Sequence, residues 1–197
     1  MPCNSVEGIT MPKNILVFAA VSVLLACLCK ARENTGTTAE GGTKMTIKVT
    51  SSAFDDQGMI PAKYTCQGQN ISPPLQFQME IEGTKSIALI CDDPDAPIGT
   101  FVHWVLFNLP ADTKTLAENI PAADTLKNGA RQGKNDFGKT GYGGPCPPSG
   151  THRYFFKVYA LDKAIDTSVV TNKKQLIEAM QGHILGQGQL MGKYKKN

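Results

Sequence analysis

SIALICDDPDAPIGTFVHWVLFNL, residues 86–109, decides how this chain folds. Ser86 to Cys91 and Val102 to Leu109 are β-branched and aromatic runs bounded by Pro, Gly or Asp, which is how strands read in a sequence. Between them Pro94 and Pro97 lack the N–H that a ladder needs, so the first strand ends there. Asp92, Asp93 and Asp95 therefore gather where a central strand exits. Regular alternation along VHWVLFNL puts His103, Val105 and Phe107 on one face and Val102, Trp104 and Leu106 on the other.

A third run of this kind, Arg153 to Leu161, follows a second informative stretch, GYGGPCPPSGTHRY, residues 141–154. Its glycines permit close backbone approach and unusual φ, so exposed N–H groups can form a concavity for an anion, and its prolines stiffen it. His152 and Tyr154 lie two apart in a strand and project to one face, while Arg153 points away. Two imidazoles and a phenol can donate hydrogen bonds to phosphate oxygens, and a carboxylate can orient an imidazole. Asp93, His103, His152 and Tyr154 are thus expected to line one polar pocket. Asp95 is read as a turn cap, and Arg153 as a partner for an aspartate of the first stretch. If an imidazolium takes part, affinity for an anion falls as pH rises through the histidine range.

Elsewhere Met45, Ile47 and Val49 alternate with polar residues as a half-buried strand does, and so do Leu75, Phe77 and Met79. One stretch reads as a helix: Asn172 to Leu185, with Leu176, Ile177, Met180 and Ile184 at helical spacing after a polar start. A weaker helical or irregular piece follows Pro121. Short strands with turn-rich links and one late helix imply a mainly β fold, a sandwich-like or Greek-key sheet with helical decoration.

At the N-terminus, Lys13 precedes an apolar run from Ile15 to Ala26 that is too short to span a bilayer and fits the core of a signal peptide. Leu24-Leu25-Ala26-Cys27 has the form of a lipobox, so residues 1–26 are expected to be removed and Cys27 lipidated; a plain export signal is the simpler alternative. Met11 is an alternative start, because Glu7 ill suits a signal's basic leader. Residues 27–44 read as a polar, Gly/Thr-rich tether, and 45–197 as one domain. The expected location is the bacterial cell envelope, anchored to a membrane with the domain in the periplasm or otherwise outside the cytoplasm. A net charge of +3 is too mild to argue for nucleic acid. Of the six cysteines, Cys91 sits in an apolar run as a buried thiol, whereas Cys66 and Cys146 fall in loops. In an exported protein these two can form a disulfide or remain separate thiols.

DPDAP followed by His103, and then GGPCPPSGTHRY, resembles the phosphatidylethanolamine-binding protein family. YTCQGQNISPPL with GHILGQGQLMGKY resembles its bacterial branch, the Raf-kinase-inhibitor-like YbhB/YbcL group, and the likeness runs from about Met45 to Tyr194. The resemblance implies a large central antiparallel sheet packed on a smaller sheet, with a C-terminal helix near the mouth of a cavity that holds phosphate, phosphorylethanolamine, acetate or similar anions. Its ligand-pocket residues fall on Asp93, His103, His152 and Tyr154, and its Gly-Pro turn on Gly144 and Pro145. The pocket-mouth tyrosine of eukaryotic members has no safe counterpart here, and Phe77 stands where bacterial relatives tend to have Trp. The expected function is non-enzymatic binding of a small anion or phospholipid headgroup, with a role as inhibitor or regulator of another protein, and no cofactor. The competing readings are a thiol hydrolase using Cys146 and His152, or a metal-dependent enzyme using His103 and His152; Ser149-Gly150 lacks the strand-to-helix elbow of a nucleophilic serine.

Overall fold

The computed structural model describes residues 45–196. The expected signal segment, the Cys27 lipidation site and the tether lie outside the described residues.

All eight residues of β4 (Ser86–Asp93) are buried. A strand apolar on both faces belongs in the middle of a covered sheet. β5 (Phe101–Pro110) pairs antiparallel along one side of it and β8 (Thr151–Leu161) along the other, and β9 (Ile184–Lys195) then pairs antiparallel with β8. Two-residue strands close the edges: β7 (Arg131–Gln132) antiparallel to β5, and β1 (Met45–Thr46) parallel to β9. The order is β1-β9-β8-β4-β5-β7. A smaller antiparallel sheet contains β2 (Lys48–Thr50), β3 (Leu75–Gln78) and β6 (Thr115–Leu116), with β3 in the middle.

Each face of the large sheet has its own apolar layer. On one side Val49, Leu75 and Phe77 from the small sheet pack with Leu89, Trp104 and Phe156. On the other, Ile90, Val105 and Phe107 are covered by Val170, Leu176 and Met180. The last two belong to α1 (Lys173–Met180), which starts at Asn172, whose side chain accepts the Gln175 N–H. At about 1.5–3 kcal/mol for each large apolar side chain taken out of water, these two layers supply most of the driving force for folding.

Three details depart from the sequence-based expectation. The strand expected over Met45 to Val49 is divided between sheets: Ile47 donates its N–H to the Gln187 carbonyl and the next residue already pairs with Gln78. The crossing brings backbone so close that a Cβ on Gly188 would lie 1.7 Å from the Ile47 carbonyl oxygen, which only glycine tolerates. The helix ends at Met180 rather than Leu185, because Gly182 at φ +76° turns the chain back and Ile184 opens β9. Helix α1 therefore precedes the final strand, and Ile177, expected on its buried face, is 40% exposed. The piece that follows Pro121 takes the irregular of its two expected forms.

The third departure sets up the site. Cys91 pairs with Trp104 and Asp92 with Val102, so His103 is an extra residue in β5, a β-bulge. The bulge breaks the regular alternation. Val102 joins Val105 and Phe107 in the layer under α1, and the His103 ring instead turns to the opposite face, against Tyr154.

Candidate functional site

The two aspartates that end β4 point to opposite faces, as consecutive strand residues must. Asp92, wholly buried, accepts hydrogen bonds from Lys157 Nζ at 2.8 and 3.1 Å and from Lys173 Nζ of α1. Asp93, 3% exposed, lies on the other face, where its Oδ2 is 2.7 Å from His152 Nδ1 and its Oδ1 accepts the Asp95 N–H at 2.8 Å. Asp95 in turn accepts three bonds from Arg153, through the backbone N–H, Nε and Nη2. The side-chain bonds from Arg153 hold the Asp95 carboxyl below its ordinary pKa. Because Arg153 is half exposed, that pair serves chiefly to fix the β4 exit loop against β8.

His103 Nδ1 lies 2.6 Å from the Gly143 carbonyl oxygen, and Gly143 returns its own N–H to the His103 carbonyl at 2.9 Å. A carbonyl accepts and cannot donate, so Nδ1 of His103 carries the hydrogen. The same reasoning gives His152 an Nδ1–H, donated to Asp93. Among the described residues neither ring has a partner for Nε2, and both rings line one cavity. Burial pushes the His103 pKa down, outweighing the Gly143 hydrogen bond and the nearby carboxylates. Tyr154 is fully buried beneath these rings, and its hydroxyl faces the Asp93 carboxylate without closing a well-formed hydrogen bond. Burial first, and then the Asp93 charge, drive the Tyr154 pKa far up, so the phenol keeps its proton.

The cavity holds about 270 Å3. Asp93, His103, His152 and Tyr154 form its polar floor, and Pro97, Ile98, Phe101, Phe137, Pro147 and Pro148 its apolar walls. Ile98 is 90% exposed and Phe137 44%, so the mouth is open and apolar. Phe137 is carried on a turn held by Asn135, whose Oδ1 accepts the N–H groups of Phe137 and Lys139. Its ring meets Phe101 edge-on with centroids 4.8 Å apart, and His103 at 5.5 Å. An apolar collar over a few convergent polar groups suits a ligand with a charged head and an apolar substituent.

The loop that supplies Cys146 to the cavity wall is anchored from behind. Cys66 and Cys146 form a disulfide with Cα atoms 5.4 Å apart. Beside it the Gly144 N–H bonds Asn70 Oδ1 at 2.8 Å, the Cys66 N–H bonds the Pro145 carbonyl at 3.1 Å, and the Tyr142 hydroxyl bonds the Tyr64 carbonyl at 2.9 Å. Gly144 and Pro145, expected to touch the ligand, instead hold this loop down and do not line the cavity. A Cβ on Gly144 would fall 2.3 Å from the Tyr64 carbonyl oxygen. The N–H groups of Gly143 and Gly144 are both spent inside the protein, so the expected backbone concavity for an anion does not form there. Cys146, bonded to Cys66, has no thiolate with which to attack a substrate. Among the described residues no group of three or more His, Cys, Asp or Glu side chains is placed to hold a metal ion.

The sequence reading missed the apolar half of the site. Ile98, Phe101 and Phe137 carry no chemistry of their own, and only the Asn-Asp-Phe-Gly turn at 135–138, with Gly138 at φ +74°, marks the loop that presents Phe137.

Comparison with known proteins agrees with this fold. Residues 50–195 match the family model described as phosphatidylethanolamine-binding protein. The chain is 54% identical over 144 residues to a UPF0098 protein of Methanothermobacter thermautotrophicus, covering 73% of this chain and 95% of the relative. A UPF0098 protein of Aquifex aeolicus is 46% identical over 154 residues, covering 77% and 90%. Among solved structures, a phosphatidylethanolamine-binding protein homologue of Chlamydia trachomatis superposes with a TM-score of 0.70 at 42% identity, covering 77% of this chain and 99% of that one. YbcL of E. coli, described as a member of the mammalian family, gives 0.70 at 32% identity, covering 78% and 100%.

The depressed His103 pKa has a consequence for stability. The unfolded chain binds a proton at the ordinary histidine value while the folded one still resists it, so this contribution is complete above that value and is lost as pH falls below it. In buffer free of phosphate and carboxylate, the melting temperature is expected to drop between about pH 7 and about pH 5, and His103→Gln to flatten that drop. Thermal melts of the two proteins across this range check it; identical slopes would contradict the assignment.

Proposed function

The chain belongs to the phosphatidylethanolamine-binding protein family, and on that premise we propose that its cavity binds small phosphorylated anions or headgroups, without chemical turnover, and that occupancy regulates a partner protein. The observation that carries this reading is the Tyr154 hydroxyl, buried at the floor of the cavity beside Asp93 with no well-formed hydrogen bond. Leaving a buried hydroxyl without a partner costs about 1–3 kcal/mol, and an oxyanion entering the cavity recovers that cost by accepting the hydrogen bond. The surrounding groups support the same use: Asp93 orients His152, and Nε2 of each imidazole is open to a ligand. The Asp93 to His152 arrangement also occurs in hydrolases, but it needs a nucleophile, and Cys146 is engaged in the disulfide.

The test is Tyr154→Phe. Loss of a hydroxyl that makes no well-formed hydrogen bond leaves the free protein about as stable as the parent, while affinity for phosphate or phosphorylethanolamine falls by about tenfold, the weight of one hydrogen bond to a charged group. Ligand-dependent melting temperatures read both effects at once; an unchanged phosphate response in the variant removes Tyr154 from the site.

The second part of the proposal concerns location. The lipobox at Leu24-Leu25-Ala26-Cys27 supports export to the bacterial envelope and anchoring through an acyl chain on Cys27, with the binding domain carried outside the cytoplasm on the segment from 28 to 44. Cells fed radiolabelled palmitate are expected to label the full-length chain and not Cys27→Ser; equal labelling would overturn the anchor.

A further inference from the structure

We propose that the cavity selects ligands that bring an acidic proton with the oxyanion, so that it takes a phosphate monoester and rejects the matching sulfate ester. This rests on the anion-pocket reading above and adds a chemical restriction to it.

The restriction comes from where the His103 hydrogen is held. The Gly143 carbonyl, 2.6 Å from Nδ1, fixes the donor on the side of the ring away from the ligand. The neutral ring then presents Nε2 as a lone pair, which accepts and cannot donate. The bulge that admits His103 to this face and the reciprocal bond from the Gly143 N–H prevent the ring from being re-used in another register.

The carboxylates around the ring favour a second proton on it, but burial outweighs them and the ring, tied at Nδ1 to the Gly143 carbonyl, stays neutral. From β4, Asp93 faces the cavity and Asp92 lies beyond it on the opposite face, already paired with Lys157 and Lys173. From the loop after β7, Asp136 approaches, with its Oδ2 held by the Val102 N–H at 2.7 Å. From β8 come Tyr154, which donates, and His152, whose Nδ1 is bound to Asp93. Phe101 and Phe137 add rings and no charge. The charged neighbours of His103 named above are carboxylates, and among the described residues no lysine or arginine lines the cavity.

An oxyanion without a proton would therefore set an oxygen lone pair against the Nε2 lone pair in a confined site. A phosphate monoester avoids this: its second pKa is about 6, so its monoanion keeps one O–H to donate to Nε2 while its other oxygens accept from Tyr154. No bond is made or broken, and one proton is shared between ligand oxygen and imidazole nitrogen. A sulfate ester has the same shape and a single charge but no proton to give. An intact phosphodiester headgroup lacks it as well.

Phenyl phosphate and phenyl sulfate are the probes, chosen because each offers the apolar collar of Phe101 and Phe137 the same ring. Calorimetry on the wild-type chain at about pH 6.5 is expected to show the phosphate bound about tenfold or more tighter, the cost of an unmatched buried polar contact. Repeated at about pH 7.5 in two buffers of different ionisation enthalpy, the phosphate titration is expected to take up protons, a readout that needs no variant. His103→Gln, whose amide can donate as well as accept, is expected to bring the two affinities together while phosphate still binds. Equal affinities in the wild type, or no proton uptake, overturn the restriction and leave the anion pocket standing. Failure of both esters to bind overturns the pocket reading itself, and this inference with it. Vesicles of phosphatidic acid, a lipid monoester, identify the source: competition with phenyl phosphate assigns the group to a headgroup, and its absence to a soluble ester.

Discussion

A strand buried on both faces cannot end in two carboxylates unless each face supplies a partner. That is the constraint at Asp92-Asp93, the last two residues of the central strand. Burying an unpaired carboxylate costs far more than any single apolar contact returns, so both partners are part of the fold. Asp92 recruits Lys157 from β8 and Lys173 from the first turn of α1, which helps fix the helix over its face of the sheet. Asp93 recruits His152 from β8. The same strand neighbour thus supplies a partner on each face, and the end of β4 is held on both sides.

What distinguishes the faces is whether the partner has capacity left. Each lysine is turned in upon Asp92. His152 spends one nitrogen on Asp93 and keeps the other, and the bulge in β5 adds a second imidazole in the same state, tied at Nδ1 and open at Nε2. Tyr154, beside Asp93 but without a well-formed hydrogen bond, completes a floor of polar atoms that the protein leaves incompletely satisfied. The disulfide and the bonds between residues 62–70 and 142–146 carry no ligand chemistry, but they hold the wall of the cavity where these atoms converge. A polar floor left incomplete within an otherwise fully paired framework is the mark of a site built for something the chain does not contain.

Much of this was legible in residues. The β-branched and aromatic runs located β4, β5 and β8, the prolines located the exit of β4, and the spacing of His152 and Tyr154 placed them on one face. Two features resisted for definite reasons. β9 is rich in Gly and Gln, residues with little strand preference, and is held by pairing with β8 on one side and β1 on the other; its Ile184 also continues the helical spacing of Leu176 and Met180. The orientation of His103 depends on a single extra residue opposite the Cys91 to Asp92 step, and a period-two reading cannot contain a bulge. The resemblance carries a ligand-touching Gly-Pro turn onto Gly144 and Pro145, but the group that Gly144 approaches is the backbone of Tyr64.

The arrangement of hydrogens on the two imidazoles is the point on which the account turns, and nitrogen-15 NMR observes it directly. Long-range proton–nitrogen correlation spectra of the ligand-free domain at about pH 7.5 are predicted to show His103 as the neutral tautomer with hydrogen on Nδ1 and a lone-pair shift at Nε2, moving toward a hydrogen-bonded shift when phosphate is added. A His103 carrying its hydrogen on Nε2, or an Nε2 resonance indifferent to saturating phosphate, would contradict it.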